Sequence, residues 1–224
     1  MRCKGKKISS NNRNFDEKNT LFCTIRSFLS NKQPAIMSSK IAILASGSGS
    51  NAENIVNYFT NNPAFEFPLI ISNKQDAFVH QRARKLNINS YTFTKEEFAE
   101  ATPVLELLKN YKIDYIVLAG FLLKVPNKII SAYHNKIINI HPALLPKFGG
   151  KGMYGDKVHQ AVVDAGETES GITIHYINEH YDEGNIIFQA KCEILPTDTA
   201  EIVSNKVHEL EYQYYPAIIE TLWK

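Results

Sequence analysis

The sequence predicts an α/β fold, a doubly wound and mostly parallel sheet with helices on both faces. Three observations carry that prediction. Residues 41–45 (IAILA) and 115–119 (YIVLA) are continuous apolar runs, the mark of strands buried on both faces. Such runs alternate with helical patterns along the chain, and strands that alternate with helices build parallel sheets. The first run is followed at once by a glycine-rich turn and a helical pattern over residues 52–59, as in the opening of a strand–turn–helix unit.

Taken in order, residues 41–45 form the first strand and SGSGSN, residues 46–51, the turn. Glycines let the backbone approach a ligand closely, and the free N–H groups of the following helix start, with its dipole, favour an anion. The spacing is not G-x-G-x-x-G, because Ala52 stands where the third glycine would fall, and no lysine follows as in a P-loop. A phosphate monoester therefore fits better than a dinucleotide; the alternative is a glycine turn that merely closes the unit. Residues 67–72 read as a second strand, 77–86 as a basic amphipathic helix and 90–93 as a short third strand. Thr94 and Glu97 have the spacing of a capping box, opening a helix that runs to about Asn110. Residues 115–119 then end in GFLLKVP, an apolar loop at a strand's carboxyl end.

Residues 137–140 (IINI) form a strand that stops at His141, and Pro142 turns the chain there. Asn139 and His141 are two apart, so on an extended chain they project to one face. An amide with two donors and a titratable imidazole on one wall suit a carbonyl becoming an oxyanion. The alternative is a turn-forming Asn beside a satisfied surface histidine. Residues 147–155 hold four glycines in nine residues and read as a mobile loop before a helix over 156–165. Residues 170–177 alternate, with Ile172, Ile174 and Tyr176 on one face and Thr173, His175 and Ile177 on the other. An acidic turn at 178–184 leads to a strand at 186–190; Asp198 should cap a last helix over 199–223, which Pro216 should break or kink. In parallel sheets of this kind ligands bind outside the carboxyl ends of the strands, the edge on which residues 47–51, 121–125 and 139–141 all fall.

Composition narrows the function. With 224 residues, 44% hydrophobic and 21% charged, the chain suits one domain over residues 37–224. Residues 1–36 are rich in Asn, Ser and Lys and read as a disordered extension, with Met37 an alternative start of translation. They carry eight Lys or Arg against two acids, which leaves 17 basic and 21 acidic residues beyond them. No basic stripe for a phosphate backbone is left, so nucleic acid is not an expected partner. Cys3, Cys23 and Cys192 are far apart and belong to no Cys/His cluster, so neither a disulfide framework nor a metal site is indicated. No apolar run reaches the roughly 18 residues of a membrane span. The expectation is a cytoplasmic protein without a membrane partner, a monomer or homodimer.

The motifs GSGSN, LAGF, NIHPALLPKFGG, GITIHY and YDEG occur in that order between about Lys40 and Trp223. With them the chain resembles the phosphoribosylglycinamide formyltransferases, folate-dependent enzymes of purine synthesis with a Rossmann-like formyltransferase fold. HPALLPK, with GSGSN at the start of the domain, fits this branch of the folate formyltransferases. Methionyl-tRNA formyltransferases carry a further carboxyl-terminal domain, and formyltetrahydrofolate deformylases usually read His-His where this chain has His141-Pro142. The resemblance implies that Asn139, His141 and Asp182 are the catalytic group. It implies that Gly49, Ser50 and Asn51 cradle the ribonucleotide phosphate, with Glu211 contacting the same substrate. Leu122, Leu123, Lys124 and Val125, with Asn139, match the pterin-holding loop. Lys95 stands where many members have an arginine that meets the folate, and Tyr154 near a place where relatives have histidine.

The activity so implied is transfer of the formyl group of 10-formyltetrahydrofolate, a co-substrate, to the amine of glycinamide ribonucleotide through a tetrahedral intermediate. Asn139 and protonated His141 would donate to the formyl oxygen, while Asp182 would raise the imidazole pKa and help carry a proton to N10 of the folate. Nothing in that chemistry calls for a metal. A hydrolase releasing formate from the same folate could use these three residues with water as the nucleophile, but has no use for a phosphate cradle. A nucleotide-binding module without catalysis, in which His141 is structural, is the reading from another class.

Overall fold

The computed structural model describes residues 38–224; the disordered extension expected over residues 1–36 and the alternative start at Met37 lie outside the described residues. Seven strands form one sheet: β1 (Ser39–Leu44), β2 (Phe65–Ser72), β3 (Asn89–Thr92), β4 (Tyr115–Leu118), β5 (Ile137–His141), β6 (Glu169–Tyr176) and β7 (Ile186–Glu193). Their order is β3-β2-β1-β4-β5-β6-β7. Neighbours from β3 to β5 run parallel, while β6 is antiparallel to β5 and β7 to β6. The expected doubly wound, mostly parallel sheet is present.

Alternation along β1 sets the two cores. Ile41 and Ile43 face one side and Ala42 and Leu44 the other, all within 2% of complete burial. The first side packs against α1 (Ser50–Tyr58), α2 (Val79–Lys85), α6 (Asp156–Asp164) and α7 (Ala200–Trp223). The second packs against α3 (Lys95–Glu100), α4 (Thr102–Asn110) and α5 (Asn127–Ala132).

The winding reverses beside β1. From β1 the chain moves outward to β2 and β3, then returns to β4 on the other side, so the loops after β1 and β4 diverge and leave a crevice at the strands' carboxyl ends. Ser46 ties the two loops together. Its N–H donates to Gly120 O (3.0 Å), its hydroxyl donates to Asn73 Oδ1 (2.5 Å) and accepts from the Leu122 N–H (2.8 Å). Beneath them the buried Tyr215 hydroxyl lies 2.9 Å from Leu118 O and 3.3 Å from Ile138 O, fixing the ends of β4 and β5 relative to α7.

Three local expectations are corrected. The helix opened by the Thr94–Glu97 capping box, whose two hydrogen bonds are both present, ends at Glu100 and restarts at Thr102. Pro103 has no N–H and its ring would meet the carbonyl one turn back, so the chain steps out at Ala101 with φ +70. The last helix is capped by Thr199, whose side chain accepts from the Ile202 N–H; Asp198 instead accepts from Leu195 N–H and pairs with Lys206. Of the break or kink expected at Pro216, the break is absent: the helix runs on to Trp223, and the Tyr212 carbonyl left without an i+4 donor accepts 3.0 Å from the Asn54 amide of α1. The strand β6 is buried on both faces from Ser170 to His175.

Candidate active site

β5 delivers Asn139 and His141 to the carboxyl edge of the sheet, and the antiparallel register sets His175 of β6 directly opposite Asn139. His175 is fully buried. Its Nδ1 lies 2.9 Å from Tyr176 O, an acceptor only, so Nδ1 carries the hydrogen and Nε2 is an acceptor. Nε2 lies 3.2 Å from Asn139 Nδ2, which must therefore turn its NH2 toward the ring. One N–H of that amide is used by His175 and the other is available to a ligand. Burial pushes the His175 pKa down, only partly offset by the Tyr176 carbonyl and Asp182, which favours this neutral form.

His141 is equally enclosed, 3% exposed. Its Nε2 lies 2.8 Å from Phe148 O and its Nδ1 lies 3.6 Å from Asp182 Oδ2. Both neighbours are acceptors; the contact to Phe148 O is within hydrogen-bond distance, while the one to Asp182 is an ion-pair separation. Neither nitrogen is free: a bond from Nε2 to a substrate oxygen requires the Phe148 carbonyl to move away. Phe148 belongs to the segment that follows β5 and has φ +56.

Asp182 comes from the acidic turn after β6 and has φ +55, a conformation Asp tolerates better than most residues. The turn is pressed against the end of β6 so closely that a Cβ on Gly184 would lie 1.7 Å from Tyr176 O. Asp182 Oδ2 accepts from Gly150 N–H (2.9 Å), and Oδ1 is 3.7 Å from His175 Nε2. The carboxylate thus stands between two histidines and also holds the glycine-rich loop.

Two clefts meet at this group. The larger, about 540 Å³, runs from Asn139, His141 and Asp182 to Gly47–Asn51 and on to His159, His208 and Glu211. The smaller, about 70 Å³, is lined by Leu122, Leu123, Lys124 and Val125 and shares Phe121, Leu122, Asn139, Tyr181 and Asp182 with the first. At the far end of the large cleft, α1 begins at Ser50 after Gly49, which has φ +73 and whose Cβ would lie 2.4 Å from Val79 Cγ2. No side chain caps the helix start. Asn51 Nδ2 donates to Glu211 Oε2 (2.8 Å), and burial pushes the Glu211 carboxyl up, only partly offset by that bond.

Asn139, His141 and Asp182 are therefore brought together; Gly49, Ser50, Asn51 and Glu211 share one cleft; and residues 122–125 line the other. Lys95, exposed at the start of α3, lines neither. Sequence reasoning missed His175, His159 and His208 as members of the site. For His175 the signal was its place one face of a strand away from Ile174, but the strand it opposes is set by pairing; for the other two it was nothing local. Among the described residues no group of three or more His, Cys, Asp or Glu could hold a metal ion, and no helix is long and apolar enough to cross a membrane.

Comparison with known proteins gives a consistent family. The model of a family described as formyl transferase matches residues 39–219. The phosphoribosylglycinamide formyltransferase of Bacillus subtilis (strain 168) is 38% identical over 188 residues, 82% of this chain and 94% of that protein. The chloroplastic enzyme of the same name from Arabidopsis thaliana is 36% identical over 186 residues, 80% of this chain and 64% of that protein, so the chain spans just under two thirds of its length. Among solved structures, glycinamide ribonucleotide transformylase 1 from Geobacillus kaustophilus superposes with a TM-score of 0.77 at 32% identity, covering 84% of this chain and all of that one.

Proposed function

The chain belongs to the formyl transferase family, and on that premise we propose that it transfers the formyl group of 10-formyltetrahydrofolate to the amine of glycinamide ribonucleotide, a step of purine synthesis. One observation supports this reading above the others. The Asn139, His141 and Asp182 group lies at the seam between a long cleft that ends at an uncapped helix start and a small cleft lined by residues 122–125. A donor held in the second cleft and a phosphorylated acceptor held in the first would meet at the three polar side chains.

The acceptor amine attacks the formyl carbon, forming a C–N bond and pushing an electron pair onto the formyl oxygen. The free N–H of Asn139, aimed by His175, donates to that oxygen; the Nε2–H of His141 joins it once Phe148 O is displaced. A preorganised donor of this kind is worth about 10² to 10³ in rate. Asp182 takes a proton from the positively charged amine, directly or through water, and the same path returns one to N10 as the C–N10 bond breaks. Atoms and charge balance without a further reactant. A small cleft of about 70 Å³ is well below the roughly 300 to 1,000 Å³ of small-molecule sites, so entry of the folate ring requires lining side chains to move apart, among them Lys124 and Tyr181, whose ring centre lies 5.7 Å from Lys124 Nζ.

The test follows ultraviolet absorbance as 10-formyl-5,8-dideazafolate loses its formyl group, with and without glycinamide ribonucleotide. The proposal expects turnover only with the ribonucleotide. Equal turnover without it would instead identify a hydrolase.

A further inference from the structure

A phosphate monoester carries about −1.5 to −2 charges near neutral pH, and the large cleft offers little fixed charge to meet them. Among its lining residues Lys151 is the one Lys or Arg, against the carboxyl groups of Asp182 and Glu211. Arg82, behind the glycine turn, is already committed: its Nε donates to Ser48 O (2.9 Å) and its guanidinium pairs with Glu53. Two histidines stand at that end of the cleft. His159 of α6 is 2% exposed, and its Nδ1 has no hydrogen-bond partner among the described residues. His208 of α7 is half exposed, with its ring 6.5 Å from that of His159 and its Nε2 3.8 Å from Glu211 Oε2. Glu211 in turn accepts from Asn51, whose Oδ1 is likewise buried without a partner among the described residues.

We propose that His159 and His208 are specificity residues for the phosphate of the ribonucleotide, and that the site takes up a proton as the phosphate binds. The proposal rests on the formyl-transfer reading for the identity of the phosphorylated molecule, but not for the existence of the phosphate site.

The charges facing His159 explain the coupling. On its own helix Asp156 lies one turn before it; His208 of α7 and His141 of β5 also act on it, and Glu211 of α7 with Lys151 and Tyr154 of the loop line the same cleft. Burial first, then His208, push the His159 pKa below its ordinary value; Asp156 pulls it up by less than either, and His141 adds the weakest downward push. The ring is then neutral and its unpartnered nitrogen is what binding uses. A dianion held against the two rings reverses the sign of the local field at His159, so that ring gains a proton and the two histidines donate to phosphate oxygens. A neutral analogue of the same shape draws no such response, which is a means of discriminating for the phosphate without a fixed arginine.

Calorimetric titration with ribose 5-phosphate at pH 7.5, in two buffers of different ionisation enthalpy, measures the proton count directly. Expected is uptake of about one proton per molecule bound, with affinity weakening about tenfold per pH unit between pH 7.5 and 8.5. In His208→Gln, an exposed site that tolerates change, and in His159→Gln, uptake falls and the pH slope flattens. Absence of ribose 5-phosphate binding overturns the proposal, as does binding without uptake or uptake unchanged in both variants. If ribose 5-phosphate binds with proton uptake while glycinamide ribonucleotide supports no formyl transfer, the transfer reading falls and the histidine phosphate site stands.

Discussion

The Nε2 of His175 lies 3.2 Å from the Nδ2 of Asn139, and that contact decides which way the Asn139 amide faces. Because the other nitrogen of His175 is bound to Tyr176 O, the ring offers Asn139 an acceptor, and the amide answers with its NH2. On the proposed mechanism, a buried residue behind Asn139 would thereby aim the donor at the reacting oxygen, in the way outer partners orient metal ligands.

His175→Ala removes that orientation. The expected result is a fall in kcat of about 10- to 100-fold with a much smaller change in the KM for ribonucleotide, and His175→Gln, which can still accept from Asn139, recovers part of it. Steady-state kinetics on the two variants checks this; a loss confined to KM would argue that His175 does not act through Asn139.

Stability should depend on pH through the same ring. His175 and His159 both have pKa values below the ordinary 6.5 in the folded protein, chiefly from burial. Below about pH 6.5 the unfolded chain therefore binds more protons than the folded one, and stability present above that pH is lost as pH falls toward the folded values. The midpoint of thermal unfolding should drop between pH 7 and pH 5.5, and the drop should be shallower in His175→Gln. An equal slope in the variant would show that other groups carry the effect.

Gly49→Ala places a methyl group 2.4 Å from Val79 Cγ2 at φ +73. Overpacking and backbone strain together should cost about 1 to 3 kcal/mol, and the displaced helix start should raise the KM for ribonucleotide at least tenfold on the scale of two lost hydrogen bonds. Urea unfolding and initial-rate kinetics read the two effects separately. A stable variant with normal KM would mean that α1 does not face the phosphate.

Asn54→Ala strands the Tyr212 carbonyl and should cost about 1 kcal/mol. In a Pro216→Ala background the new residue's own backbone N–H supplies the missing donor, so the same Asn54 change should cost little. A double-mutant cycle by chemical denaturation should give a coupling of about 0.5 kcal/mol or more; additive costs would show that the side-chain bond contributes nothing.

That pair of residues also shows where sequence reading stops. Proline's effect on a helix is local and was legible, but the donor that cancels it comes from α1, more than 150 positions away. Asn139 and His141 were legible because two residues apart on a strand share a face, whatever the fold. Asp182 was legible only through resemblance, since an acidic turn is usually just solvated. His175 opposes Asn139 because β6 runs antiparallel to β5, and nothing in an alternating strand states its direction. His159 and His208 reach one cleft because α6 packs on α7, a tertiary fact with no local signal. Ala101 is the opposite case: Pro103 was in plain view, yet the strong capping box at Thr94 made one long helix the simpler reading.

The central claim, that Asn139, His141 and Asp182 move a formyl group onto an amine, is tested most directly by following the group itself. Incubation of the protein with an isotope-labelled formyl donor and glycinamide ribonucleotide, followed by mass spectrometry, should find the label on the ribonucleotide amine. In His141→Ala and Asp182→Asn the labelled product should form at least about 100-fold more slowly. Label released as formate, or either variant working within about tenfold of the parent protein, would contradict the account.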